Sequence, residues 1–130
     1  QCDLSVMLSP GMFEDMLLYE LNAQSEHLDH SLYHLDGEAQ VKHLAHILSV
    51  PRIRAIQWTN VAGQGPVTQY IPVLRRIQQA GRSLILDCAP EEVPALMEQL
   101  ESSKLYLRTW AKTQADADDL VRLVAKLTHD

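Results

Sequence analysis

The residues best suited to chemistry stand together in Ser31-Leu-Tyr-His-Leu-Asp-Gly37. His34 and Asp36 bring an imidazole and a carboxylate to the end of a short apolar run, just before a glycine and a helical pattern. A strand that ends in ionisable groups and a glycine is how α/β proteins present chemistry at the carboxyl edge of a sheet. The pair is compatible with general acid/base work, with two ligands toward a metal, or with no more than a turn and helix cap built by Asp36-Gly37. Two residues do not choose among the three.

Similar strand ends recur. Gln57-Trp58-Thr59, Asp87-Cys88 and Thr109-Trp110 each close a short apolar run. In a parallel sheet these ends share one rim, and ligands bind there. Besides the catalytic candidates His34 and Asp36, the ligand-binding candidates are Tyr33, Gln57, Trp58, Gln64, Asp87 and Trp110. Gly63-Gln64-Gly65-Pro66 lacks the glycine spacing and lysine of a phosphate loop and reads as a loop between strand and helix. Cys88 reads as a buried, inert thiol. His43 and His46, three apart on a helical pattern, read as surface residues, and no serine or cysteine sits in a nucleophile elbow.

The elements that must position these residues are periodic. Val41, Leu44, Ala45 and Leu48 follow the i, i+3, i+4, i+7 pattern of an amphipathic helix. The same spacing recurs at Tyr70–Ile77, Val93–Leu100 and Ala117–Val124. Ahead of them lie strand-like runs over 31–35, 53–58, 83–86 and 105–109, mostly apolar, as in parallel strands buried on both faces. Ser9-Pro10 starts a further helix that runs to about Leu28. Ala80-Gly81 and Ser49-Val50-Pro51 end helices, and Pro72 and Pro94 belong in first turns. Cys2–Leu8 reads as a strand or an arm. Helix-strand alternation with short connections gives a parallel sheet with right-handed crossovers. The expectation is one α/β domain over 1–130 with about four parallel strands and outer helices. That is either an open sheet or half of an eight-stranded barrel.

Composition limits the rest. The 130 residues are 46% hydrophobic, enough for a core, and carry a net charge of −6. An acidic chain without a basic cluster is a poor binder of nucleic acid. No apolar run is long enough to span a membrane. Two distant cysteines make no disulfide framework, so a reduced, cytoplasmic setting is expected.

Leu8-Ser-Pro-Gly-Met-Phe-Glu14, Leu28-Asp-His-Ser-Leu-Tyr-His-Leu-Asp-Gly37 and Ile56-Gln-Trp58 together resemble the uroporphyrinogen decarboxylase-like superfamily, which includes the zinc-dependent methylcobalamin:coenzyme M methyltransferases. The resemblance covers nearly the whole chain and corresponds to the C-terminal half of a (β/α)8 TIM barrel. It implies a half-barrel domain of a lyase (decarboxylase) or methyltransferase. The ligand, a tetrapyrrole or a small methyl donor, would lie at the strand ends. The zinc methyltransferases carry His-x-Cys where this chain has His34 and Asp36, and a further Cys where it has Thr109-Trp110-Ala111. No zinc or corrinoid cofactor is therefore expected. The family's groups for propionate side chains come largely from the N-terminal half, so activity of this half alone is not expected.

A half-barrel exposes two sheet edges and an inner face that seek a partner. A homodimer or a missing N-terminal half would supply it. The alternative reading is a noncatalytic binding or assembly module derived from the same superfamily.

Overall fold

The computed structural model describes residues 1–129; Asp130 lies outside it. Four strands, β1 (Ser31–Asp36), β2 (Ile53–Thr59), β3 (Ser83–Asp87) and β4 (Leu105–Arg108), form one sheet in the order β1-β2-β3-β4. Every neighbouring pair is parallel. The strands fall within a residue or two of the positions expected from sequence. The fold is α/β with a four-stranded parallel sheet and helices, an arrangement consistent with half a barrel.

Apart from short 3-10 turns, the described residues form five helical stretches. The first, α1, runs through Pro10–Phe13, a π-helical Glu14–Leu18 and Tyr19–Glu26. The second, α2, combines Gly37–Gln40, a 3-10 turn Val41–His43 and Leu44–Ser49. Then come α3 (Ile71–Gln79), α4 (Val93–Gln99) and α5 (Gln114–Leu127). The start and stop signals work as physics requires. Ser9 Oγ accepts the Met12 N–H, with Pro10 in the first turn. Gly81 has φ of +77°, which lets Arg82 N–H reach back to the Ile77 carbonyl and close α3. Cys2–Leu8, read as strand or arm, contains the 3-10 turn Asp3–Met7.

One feature corrects the expectation of strands buried on both faces. Burial alternates along the strands. Tyr33, Leu35, Ile56, Trp58, Leu84 and Leu86 face one way and are buried against α2, α3 and α4, whose Leu44, Ile47, Leu74, Ile77 and Leu96 complete the core. Each such side chain contributes about 1.5–3 kcal/mol by leaving water. Side chains of the opposite parity, Leu32, His34, Asp36, Ala55, Gln57, Thr59, Ser83, Ile85, Asp87, Tyr106 and Arg108, stay half-buried or exposed. Ile56, Leu84, Leu105 and Leu107 therefore belong to the helix-covered side, and Leu32 and Ile85 to the open one. The open face is mostly polar.

The N-terminal helix does not fold over that open face. Its Phe13 ring is buried and stacks on His43, with centroids 4.4 Å apart, and on His46 at 5.9 Å. Thus α1 packs on the outside of α2. The preceding turn is held to α2 as well. Gln40 Nε2, Lys42 Nζ and His43 Nε2 donate to the carbonyls of Cys2, Val6 and Ser5 at 3.1, 2.7 and 2.8 Å. His43, read from sequence as a surface residue, is fully buried.

Candidate functional site

Parallel pairing puts all four strand C-termini at one edge, so His34, Asp36, Gln57 and Asp87 share a rim as the sequence implied. Alternation along β1 turns His34 and Asp36 onto the same, open face. His34 pairs in register with Gln57, and Asp36 with Thr59. The imidazole therefore stands in a ring of polar groups. Its Nε2 lies 3.0 Å from Asp36 Oδ1 and its Nδ1 lies 3.0 Å from Gln57 Oε1. Thr59 Oγ1 is 3.4 Å from Nε2 and 3.5 Å from Nδ1. The His34 and Asp36 side chains are 25% and 24% exposed, so the pair is held yet open to a ligand.

The hydrogen-bond chemistry permits two protonation states. Nε2–H donates to the Asp36 carboxylate. Nδ1 faces a carboxamide that accepts from the N–H of an imidazolium or, turned by half a rotation, donates to the bare nitrogen of the neutral ring. A histidine fixed in place by groups that tolerate both states is suited to gaining and losing a proton.

The backbone around the pair is pinned. Asp36 N–H donates to Gln40 Oε1 at 3.1 Å, and Gln40, wholly buried, in turn grips the Cys2 carbonyl. Gly37 has φ of +57°, and a Cβ there would stand 2.5 Å from Gln64 Oε1. The left-handed turn favours glycine here, and the mobile end of the Gln64 side chain lies over it. Gln64 Oε1 also accepts Val61 N–H at 3.1 Å. The loop after β2 consequently leans on the end of β1, and Gln64 joins His34, Asp36 and Gln57 at the rim.

The remaining candidates are placed elsewhere. Tyr33 and Trp58 are buried on the helix-covered face, opposite His34, because neighbouring strand positions alternate. Trp58 Nε1 donates to Asn60 Oδ1 at 2.8 Å and its ring meets Tyr70 at 4.7 Å. Burial pushes the Tyr33 hydroxyl up to about 12. Neither side chain meets a ligand on the open face with His34. Asp87 is on the open face but forms an ion pair with Arg108 at 2.6 Å, two strands beyond β1. Trp110 is exposed and lines a cleft of about 410 Å³ with Pro90, Glu91, Lys112 and Leu120. It follows β4, about 14 Å across the sheet from β1 at ordinary strand spacing. Cys88 is buried in the helix-side core, and burial raises its thiol to about 11, with Glu92 and Asp87 adding to the rise. That fits the inert reading.

Sequence reasoning missed Gln40 and Arg108. Gln40 lay inside a helix with no motif around it, and Arg108 matters only because alternation turns it to the open face beside Asp87. Among the described residues no three His, Cys, Asp or Glu side chains come close enough to share a metal ion. His34 directs both ring nitrogens at Asp36 and Gln57, so the donors present do not make a thiolate zinc site. No described helix is long and apolar enough to cross a membrane.

Comparison of the chain with protein-family models, with curated proteins and with solved structures gives no match.

Proposed function

We propose that the open sheet face is half of an enzyme site of the uroporphyrinogen decarboxylase-like type. In this reading the chain is the C-terminal half of a barrel, and His34 is its acid/base residue. Asp36 orients the ring through its hydrogen bond to Nε2, while Gln57, Thr59 and Gln64 offer hydrogen bonds to a polar ligand. The ligand class is a tetrapyrrole or a small methyl donor, and the reaction a decarboxylation or methyl transfer that requires the opposing half. No step is assigned to zinc or a corrinoid, since the donor set lacks the thiolates. The observation that carries the reading is the His34 ring held between Asp36 and Gln57 on an uncovered sheet face at the C-terminal strand ends. That is where parallel α/β folds bind ligands.

A noncatalytic assembly module is the second reading. In its favour, Arg108 neutralises Asp87 and leaves the β3–β4 end of the rim without a free carboxylate partner for chemistry.

The test is histidine-ring NMR of the chain during titration with uroporphyrin and, separately, methylcobalamin. The expected result is a saturable shift of the His34 signals with one probe while those of exposed His27 and His129 stay put, and loss of that binding in His34→Gln. Unmoved His34 signals with both probes would overturn the enzyme-site reading.

A further inference from the structure

The apolar side chains left in water are not spread evenly over the chain. Eleven large ones are exposed, and six of them, Leu4, Met7, Met12, Met16, Tyr19 and Leu28, fall within residues 1–28. Of the four methionines, Met97 belongs to the core and the other three are exposed between residues 7 and 16. Methionine is flexible and polarizable, and exposed clusters of it suit recognition of an apolar partner.

Helix α1 is apolar on two sides. Its π-helical turn Glu14–Leu18 winds more widely than an α-helix, which keeps residues four apart in line. Phe13, Leu17 and Leu21 thereby share the side packed on the core. Met12 and Met16 share an outward row with Glu20, and Asp15 shares the adjoining row with Tyr19; all five are exposed. The packed side anchors the helix through Phe13, so the outward side chains are not needed to hold it.

The charge around this face has one sign. Residues 1–29 hold Asp3, Glu14, Asp15, Glu20, Glu26 and Asp29 and no Lys or Arg. Among the described residues neither Asp15 nor Glu20 has an ion-pair partner. The cations that reach this segment, Lys42 and Arg52, donate to the carbonyls of Val6 and Leu28 at 2.7 and 2.8 Å.

We infer that the outward face of α1 docks a basic amphipathic helix of another protein. The apolar stripe of that helix lies on Met12, Met16 and Tyr19, and its Lys or Arg side chains meet Asp15 and Glu20. An anionic membrane or a nucleic acid would face carboxylates with no cation to hold it. A second copy is a poor fit as well. The chain's own apolar groove, about 400 Å³ between β4, α4 and α5 and bordered by Met97, Leu107 and Leu120, is lined by no charged side chain, and α1 against α1 sets acid against acid. No residue of the His34 rim takes part, so the inference stands apart from the half-site reading.

The probe is a synthetic leucine/lysine peptide patterned as an amphipathic helix of about 18 residues, or about five turns. Its control carries glutamate in place of every lysine. Fluorescence anisotropy of labelled peptide gives the affinity, and the methionine methyl NMR signals give the place, since Met12 and Met16 report from α1 and Met97 from the groove. The expected result is saturable one-to-one binding of the lysine peptide that shifts Met12 and Met16 and leaves Met97 unmoved. Its dissociation constant should rise at least about tenfold in Asp15→Lys/Glu20→Lys, in Tyr19→Ser and in high salt, and the glutamate peptide should bind at least about tenfold more weakly. Circular dichroism checks that the variants fold; if one does not, the salt series and the control peptide decide on the unaltered chain. Absence of binding, equal binding of the two peptides, or a shift at Met97 alone overturns the inference. So does self-association of the chain that Asp15→Lys/Glu20→Lys alters, which would make a second copy the occupant.

Discussion

At the scale of single residues, burial sets the behaviour of three side chains. His43 is sealed beneath Phe13 with Nε2–H donating to Ser5 O, and its Nδ1 has no hydrogen-bond partner. Burial holds its pKa below the ordinary value, with nearby Lys42 and His46 pressing the same way and the Ser5 carbonyl opposing. A folded-state pKa below the unfolded one means that neutral His43 is fully compatible with folding above about pH 6.5, and that stability is lost as pH falls below that value. The urea midpoint should therefore drop between pH 7.5 and 5. His43→Gln, which retains a donor for Ser5 O and removes the titrating ring, should flatten that slope. Cys88, its thiol raised to about 11, should resist a thiol reagent at pH 8 in the folded protein, while half-exposed Cys2 reacts. Mass spectrometry of the labelled peptide distinguishes the two sites. Glu92 shows the opposite design, a carboxylate used as a staple. It accepts Thr68 N–H at 3.1 Å with one oxygen and Ala89 N–H at 3.0 Å with the other, joining the starts of α3 and α4. Glu92→Ala leaves both donors without it and should cost about 1–3 kcal/mol in urea unfolding.

At the scale of elements, the order and extents of strands and helices were legible because each helix repeats an apolar stripe and each strand is a short aliphatic run. Ser9, Gly81, Pro72 and Pro94 marked the boundaries by local chemistry that tertiary structure does not change. Which face each strand covers was not legible. Apolar runs such as Leu84-Ile85-Leu86 look the same whether one or both sides are packed, and only the placement of helices on a single side distinguishes them. His43 was misread for a related reason: the ring that buries it, Phe13, comes from thirty residues upstream. The same contact makes α1 a testable unit. Phe13→Ala removes its buried anchor, a loss of about 3–5 kcal/mol for a fully buried aromatic. Residues 1–26 touch α2 but lie outside the sheet ladder. Hydrogen exchange should accordingly accelerate through α1 and the Asp3–Met7 turn, while β2 and β3 amides retain their protection. Uniform acceleration over the whole chain would instead mean that α1 belongs to one cooperative unit with the sheet.

At the scale of the whole molecule, His34 and Asp36 could be picked out in the sequence, and the rim they share with Gln57 follows from parallel order. Thr59 and Gln64 belonged to the same set of strand-end and loop residues in the sequence, but that they close on this pair emerges only from register and from the loop leaning on Gly37. If a second copy pairs with the edge strands β1 and β4, as expected of a half-barrel, part of the folding free energy belongs to association rather than to the chain. Stability then depends on protein concentration, since whatever binds the native state and not the unfolded one shifts the equilibrium by mass action. For a folded dimer that unfolds to two chains, a tenfold rise in concentration adds about 1.4 kcal/mol to apparent stability. Urea unfolding followed by tryptophan fluorescence should show a midpoint that climbs from low to high micromolar chain concentration. Trp110 reports from the rim beside β4, and Trp58 from the core. A midpoint that never moves with concentration would mean that each four-stranded sheet holds its own fold with both edges in water.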